Sequence, residues 1–251
     1  YMTAALGLER LGGLRRGERV LIHSATGGVG LAAVQISVVA GALELETAGS
    51  EAKRELLRER GVTHVFDSRS PAFREAILAC TDGEGVHVLL NSLADDLLQA
   101  SYALVMRGGR ILEMGKRGIP SVEVVARQHP GVAYMPFDLG EMAARDRALA
   151  ASLMASLLKR LADGSFQPLP VTVHALSAPH EAFRVMALAR HVGKLVLRQD
   201  VRAHPGGAVC ARFGQRTHRR DGEPGPSESE RLLEVGGVCP GIRKDDVRQP
   251  K

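Results

Sequence analysis

Three glycines follow a short apolar run near the start of the chain, in Val20-Leu-Ile-His-Ser-Ala-Thr-Gly-Gly-Val-Gly30. Glycine leaves no side chain where a backbone must approach a ligand closely. The apolar residues 31–40 predict a helix whose free N–H groups and positive dipole end face this turn. The alternative is a tight strand–helix turn that needs glycine only for packing. The spacing favours a dinucleotide pyrophosphate bound at Gly27, Gly28, Val29 and Gly30.

A hydroxyl and a lysine, Ser50 and Lys53, follow the second apolar strand. Dinucleotide folds that bind NAD usually place an acid here to hold the ribose hydroxyls. A hydroxyl with a cation one helical turn later suits a 2′-phosphate, so the sequence favours NADPH over NADH. The alternative for Lys53 is a solvated lysine on a helix surface.

Two further loops carry polar side chains at the ends of predicted strands. Ser68 and Arg69 follow the third strand and are candidate adenosine or phosphate contacts; the alternative is an exposed loop arginine. Asn91, Ser92 and Leu93 end the fourth strand, where ligands of parallel sheets bind. Ser92, or Asn91, is also a candidate N-cap for the helix that we expect from residue 94.

Two acids in the second strand, Glu44 and Glu46, oppose the prediction that a 2′-phosphate binds near Ser50 and Lys53. A carboxylate about 6 Å from a phosphate would cost roughly 0.7–3 kcal/mol per charge pair. The sequence leaves open whether Glu46 lies that close.

Lys116 and Asp138 end the fifth and sixth predicted strands. Parallel strands share one carboxyl edge, so both side chains could face one cleft. A lysine and an acid in a cleft could orient water or donate a proton. The alternative is a surface ion pair, which contributes little.

Several known catalytic motifs are absent from the sequence. None of the three tyrosines is followed four residues later by lysine, which argues against the short-chain reductase mechanism. The glycine turn is not followed by Lys-Ser or Lys-Thr, which excludes a P-loop, and no Gly-x-Ser-x-Gly is present.

The elements that must position these residues alternate in type. Strands are predicted at 20–22, 43–48, 62–66, 86–90, 110–114 and 133–137, and helices at 1–14, 31–40, 51–60, 71–79, 94–105 and 146–161. We expect Ser70-Pro71 to open the 71–79 helix and Gly108-Gly109 to form a turn. The pattern predicts an α/β fold with a doubly wound parallel Rossmann sheet.

The chain changes character after the long helix. A proline-interrupted strand at 169–174, a helix at 181–189 and a strand at 194–197 indicate part of a second domain. We therefore expect a dinucleotide-binding domain at 1–165, a return segment of the second domain at 166–198, and a tail or linker of low order at 199–251.

Composition excludes several function classes. The net charge of +5 is spread among acids, which argues against a nucleic-acid interface. Three distant cysteines offer neither zinc ligands nor a disulfide framework, so we expect no metal and a reducing, cytoplasmic compartment. The chain start lacks a signal-peptide layout and no run reaches the length of a membrane span, so no membrane partner is expected.

The motifs in combination resemble the enoylreductase domains of modular polyketide synthases and the related domain of animal fatty acid synthase. The runs are His23-Ser-Ala-Thr-Gly-Gly-Val-Gly30, Leu90-Asn-Ser-Leu-Ala94, Glu113-Met-Gly-Lys116, Phe137-Asp-Leu139, Pro168-Leu-Pro170, Glu181-Ala-Phe-Arg184 and His191-Val-Gly-Lys194. Both groups belong to the zinc-free, quinone-oxidoreductase-like branch of the medium-chain reductase superfamily.

The resemblance implies NADPH-dependent reduction of an α,β-unsaturated thioester on an acyl carrier protein, beside neighbouring synthase domains. Hydride would go to the β-carbon and a proton to the α-carbon. Ser50, Lys53 and Arg69 match positions near the adenosine phosphate, and Asn91 to Leu93 match the nicotinamide side. Lys116 and Asp138 match the lysine and aspartate proposed as proton donors.

This sequence also departs from the family pattern. The family has a GroES-like substrate domain before the position of Tyr1, so we expect weak or absent enoyl reduction by this chain alone. Glu44 and Glu46 stand where apolar or small residues are usual. Synthases of this family often continue into a ketoreductase domain after the enoylreductase domain. The tail of this chain does not resemble a ketoreductase, and we interpret it as a linker or as out-of-frame coding. The alternatives are a stand-alone quinone oxidoreductase and a catalytically silent dinucleotide-binding or scaffold module.

Overall fold

The structure, a computed structural model, describes residues 1–116 and 118–199. Its main strands are β1 (Arg19–Ile22), β2 (Leu43–Ala48), β3 (His64–Asp67), β4 (Val86–Asn91), β5 (Val105–Glu113) and β6 (Ala133–Pro136). They form one parallel sheet in the order β3-β2-β1-β4-β5-β6. This order confirms the predicted doubly wound α/β fold, with its reversal of strand order between β1 and β4.

Nine α-helices lie in this part of the chain, and a π-helical segment, Leu6–Leu11, continues the first of them. The helices are α1 (Met2–Ala5), α2 (Gly28–Ala40), α3 (Glu51–Glu59), α4 (Phe73–Cys80), α5 (Asp95–Tyr102), α6 (Val122–Gln128), α7 (Leu139–Arg145), α8 (Arg147–Ala162) and α9 (Pro179–Ala187).

The central strands β1 and β4 are buried on both faces, because successive side chains along them point into two different apolar clusters. Val20 and Ile22 lie in one cluster with residues of α1, α2 and α8. Leu21 and Leu89 lie in the other cluster with residues of α4 and α5. Since successive side chains of a strand point to opposite faces, these runs read as continuously apolar.

A second, two-stranded parallel sheet pairs β7 (Val171–Ala175) with β8 (Lys194–Arg198), and α9 connects the two strands. The return segment touches the glycine turn: Gly193 bridges to Gly27, and its N–H donates to the Thr26 carbonyl at 2.9 Å. The described residues of the sheet and of the return segment belong to one compact unit. The domain boundary at 165 stays a prediction, and the predicted tail beyond Gln199 lies outside the described residues.

Two local predictions were wrong. Helix α4 begins at Phe73, and the Ser70 hydroxyl accepts from the Ala72 N–H in the turn before it. Gly108-Gly109 lies inside β5 rather than in a turn, where the register with β4 shifts. The positive φ of Gly108, 83°, supports this bulge, which keeps the strand continuous.

Helices α6 and α7 were missing from the sequence prediction. Each has seven residues, too few to be stable in isolation, and so gives a weak periodic signal. Side chains cap both: Ser121 accepts from the Val124 N–H, and Asp138 accepts from the Glu141 N–H. Within residues 1–116 and 118–199, no helix is both long and apolar enough to cross a membrane.

Candidate cofactor-binding and active site

The glycine turn opens α2 with its N-terminal amides uncapped. Gly27 is the N-cap in an extended conformation, and no side chain of the described residues caps the helix. A Cβ on Gly30 would lie 2.5 Å from the Ala25 Cα, so packing demands glycine there. A Cβ on Gly28 would instead meet the flexible Lys194 side chain, 2.5 Å from its Cε. The turn therefore needs glycine for packing and also leaves the N-terminus of α2 open. An open helix N-terminus is a feature that binds anions.

A cleft of about 830 Å³ brings four of the predicted adenosine-end residues together with the glycine turn. They are Ser50, Lys53, Ser68 and Arg69. Gly49 leaves room for Arg69, whose Nε lies 3.0 Å from where a Cβ on Gly49 would be. Burial and the charge of Arg69 lower the pKa of Lys53. Two cations that line the same cleft, Lys53 and Arg69, are suited to bind a dianionic phosphate.

Sequence reasoning missed the return loop that covers this cleft, residues 188–192. The Lys53 ammonium donates to the Ala189 carbonyl at 2.8 Å, so Lys53 is not simply a solvated surface lysine. Arg190 and His191 line the cleft, and burial, followed by the charges of Lys53 and Lys194, lowers the pKa of His191. The only sequence signal for this loop is the group of basic residues within 190–194. These residues lie more than 130 positions from Lys53, so their place in the cleft follows only from the tertiary contact.

Glu46 is buried inside the sheet layer and does not line the cleft. It pairs with Ile22 in register and is 0% exposed, and neither carboxyl oxygen has a hydrogen-bond partner among the described residues. Burial, with a smaller contribution from Glu44, raises the pKa of Glu46 to about 8. The carboxyl is therefore mostly protonated at neutral pH, which largely removes the predicted repulsion of a phosphate.

The loop Asn91 to Leu93 reaches the glycine turn from the other side. The Ser92 hydroxyl donates to the Ser24 hydroxyl at 3.0 Å. The expectation that Ser92 or Asn91 caps the next helix was wrong: Ala94 is the N-cap of α5, with no side-chain cap bond. The Asn91 side chain instead bonds to Leu93 and Glu113, because its amide is buried at the strand end.

Lys116 and Asp138 form an ion pair beside a second cavity of about 560 Å³. The Lys116 side chain is 76% exposed and that of Asp138 23%. The hydrogen bond between them raises the pKa of Lys116 and lowers that of Asp138. The predicted pairing is therefore present as a charged pair, and its part in catalysis stays a prediction. In the described part of the chain, no cluster of His, Cys, Asp or Glu could hold a metal ion.

Residues 28–161 match the family model described as zinc-binding dehydrogenase. A subunit of the phenolphthiocerol/phthiocerol polyketide synthase of Mycobacterium tuberculosis is 43% identical over 199 residues, 78% of this chain and 9% of that protein. The pikromycin polyketide synthase component PikAII of Streptomyces venezuelae is 40% identical over 216 residues, 85% of this chain and 6% of that protein. The chain thus spans less than a tenth of these relatives.

Solved structures agree with these matches. The CurK enoyl reductase is 43% identical with a TM-score of 0.76, over 79% of this chain and 60% of that one. A structure described as a putative enoyl reductase domain of polyketide synthase is 44% identical with a TM-score of 0.62, over 68% of this chain and 95% of that one. The nucleotide-binding subdomain of the enoylreductase domain of PpsC from Mycobacterium tuberculosis is 42% identical with a TM-score of 0.61, over 66% of this chain and 94% of that one. The chain belongs to the zinc-binding dehydrogenase family and, within it, to the enoyl reductase domains of polyketide synthases.

Proposed function

We propose that this chain is the cofactor-binding part of a polyketide synthase enoyl reductase. The reaction is transfer of hydride from NADPH to the β-carbon of an α,β-unsaturated thioester carried on an acyl carrier protein. The observation that carries the proposal is one cleft that combines the uncapped α2 turn with Lys53 and Arg69. The enoyl reductase structures that the chain resembles support the reaction class.

The residues in the cleft fit NADPH. The first N–H groups of α2 suit the pyrophosphate, and Lys53 and Arg69 suit the 2′-phosphate. The loop Asn91 to Leu93, tied to Ser24, lies on the side proposed for the nicotinamide. When bound, NADPH would supply the hydride.

The proposed proton chemistry rests on Lys116. Since its pKa is raised by Asp138, the side chain is protonated at neutral pH. An ammonium at the carboxyl edge of the sheet can stabilise negative charge developing on the thioester oxygen and deliver a proton to the α-carbon. Asp138, ionised because its pKa is lowered, orients that ammonium.

The partners that we propose are the carrier-bound substrate and the neighbouring synthase domains. The long polyketide synthases among the relatives support this assignment. We place the reaction in the cytoplasm, since three widely spaced cysteines favour a reducing compartment.

A chimera tests the reaction directly. Residues 1–198 replace the matching part of the CurK enoyl reductase, and oxidation of NADPH is followed with a crotonyl thioester and with a quinone. We expect turnover of the thioester, and a loss of about a hundredfold or more in rate for Lys116→Met, because a positioned proton donor contributes at least that much. Arg145→Met, an exposed charge on the same cavity, is the matched control and should keep its rate.

Other outcomes would identify the alternatives. Quinone reduction without thioester reduction would favour a quinone oxidoreductase. Cofactor binding with no turnover of either substrate would favour a silent dinucleotide-binding module. An unchanged rate in Lys116→Met would remove this lysine from the proposed chemistry.

A further inference from the structure

A buried carboxylate, Glu113, lies between the two loops that carry the proposed reaction. Asn91 and Glu113 end neighbouring strands and face each other in register. Both residues are 0% exposed. Burying an acid costs folding free energy unless hydrogen-bond donors surround it. The donors around Glu113 therefore indicate the role of this side chain.

Three donors from three elements converge on the Glu113 carboxylate. Oε2 accepts from the Asn91 amide and from the Tyr102 hydroxyl, each at 2.6 Å. Oε1 accepts from the backbone N–H of Gly115 at 2.6 Å. A Cβ on Gly115 would lie 2.7 Å from Oε1 and 2.9 Å from Cγ2 of Ile119, so a larger residue here would have to displace the carboxylate, the Ile119 side chain or both.

The carboxylate determines which way the Asn91 amide faces. Oε2 of Glu113 accepts from both the Tyr102 hydroxyl and Asn91, and only the amide nitrogen of an asparagine side chain can donate, so Nδ2 of Asn91 faces the carboxyl group. Oδ1 is then left to accept from the Leu93 N–H at 3.2 Å, while Nδ2 also donates to the Leu93 carbonyl at 3.0 Å. Glu113 thereby sets the conformation of residues 91–93.

The same carboxylate restrains the neighbouring loop. Its bond to Gly115 holds the residue directly before Lys116, and the Glu113 carbonyl accepts from the Phe137 N–H, directly before Asp138, at 3.0 Å. One side chain and its backbone are thus linked to both members of the ion pair and to the loop at the proposed nicotinamide side.

We propose that Glu113 is a positioning residue that orients the Asn91–Leu93 loop and the Gly115–Lys116 loop together for the nicotinamide half of the cofactor. The inference rests on the proposed function. Glu113 acts through Asn91 and Gly115 and lies away from the adenosine-end cleft, whose lining does not include it. We therefore expect it to affect the nicotinamide half of the dinucleotide site much more than the adenosine half.

The test compares two ligands on the 251-residue chain by calorimetric titration: NADPH, and adenosine 2′,5′-bisphosphate, which reaches only the adenosine end. In Glu113→Gln the amide must turn a donor toward Asn91 and Tyr102 or toward Gly115. We expect about a tenfold weaker Kd for NADPH, with the bisphosphate Kd changed by less than about twofold. A general loss of structure would weaken both ligands equally.

Two further variants guard against misfolding. Gly115→Ala crowds the carboxylate and Ile119 without removing either, and should cause the same selective loss. Tyr102→Phe removes one donor and leaves both loop contacts, so it should keep the wild-type ratio of the two affinities.

Three outcomes would overturn the inference. They are a wild-type ratio in folded Glu113→Gln and Gly115→Ala, an equal loss of both ligands, and a selective loss in Tyr102→Phe as well. If the wild-type chain binds neither ligand, the proposed function itself fails, and this inference fails with it.

Discussion

Replacing Glu46 by leucine is expected to raise the free energy of unfolding, by more at pH 8 than at pH 5. The carboxyl has a pKa of about 8 in the fold against an ordinary value of 4.5, chiefly because it is buried. Between these values the native state binds more protons than the unfolded state, so stability falls as pH rises. Below pH 4.5 both states are protonated and the effect vanishes.

The shift corresponds to about 3 kcal/mol of lost stability at pH 7 and more at pH 8. Leucine has a similar volume and no polar atom to desolvate, so it removes this loss. Glu44, with a pKa raised by burial to about 7, keeps part of the pH dependence in the variant.

Urea unfolding of wild type and Glu46→Leu at pH 5, 7 and 8 measures the effect. Glu59→Leu is the matched control, since Glu59 is exposed at the end of α3 and should change stability by less than about 0.5 kcal/mol. Parallel pH profiles for wild type and Glu46→Leu would contradict the buried, neutral carboxyl.

Replacing Lys53 by alanine is expected to remove most of the preference for NADPH. Its ammonium lies in the same cleft as Arg69 and the uncapped α2 turn. A charge-assisted contact to a phosphate contributes about 1.5–3 kcal/mol, so the NADPH Kd should rise about tenfold to a hundredfold. The NADH Kd should change by less than about twofold, because NADH lacks the 2′-phosphate.

Lys53 also donates to the Ala189 carbonyl, so alanine loosens the return loop as well as removing a charge. Lys53→Arg keeps the charge and should recover most of the preference. Lys159→Ala, which removes an exposed lysine on α8, should leave both affinities unchanged. If Lys53→Ala still prefers NADPH as strongly as the wild type, then Lys53 does not select the cofactor.

Local signals were enough for most of the sheet. The bounds of β2 were predicted without error, and the long helix was placed within a residue of Arg147–Ala162, since Asp146 caps it. Alternating strands and helices allow few topologies, so the doubly wound parallel fold could be predicted, whereas the order of its strands comes from the structure. The close approach of Lys116 and Asp138 was also predictable, because neighbouring parallel strands share one carboxyl edge.

Features that depend on tertiary contacts were not predictable. Periodicity marks Glu46 only as an acid in an apolar strand, and its protonation depends on a burial that the tertiary fold creates. The contact of Lys53 with Ala189 joins residues 136 apart in sequence. The Glu113 network needs the register of β4 and β5, including a bulge that the sequence presented as a turn.

The central claim is that this cleft binds NADPH, and titration of the wild-type 251-residue chain with NADPH and with NADH tests it most directly. The chain has no tryptophan, so calorimetry or the fluorescence of the reduced cofactor is the suitable signal. We predict a Kd for NADPH at least about tenfold tighter than for NADH, corresponding to one charge-assisted phosphate contact. Equal affinity for the two cofactors, or no binding of either, would contradict the account.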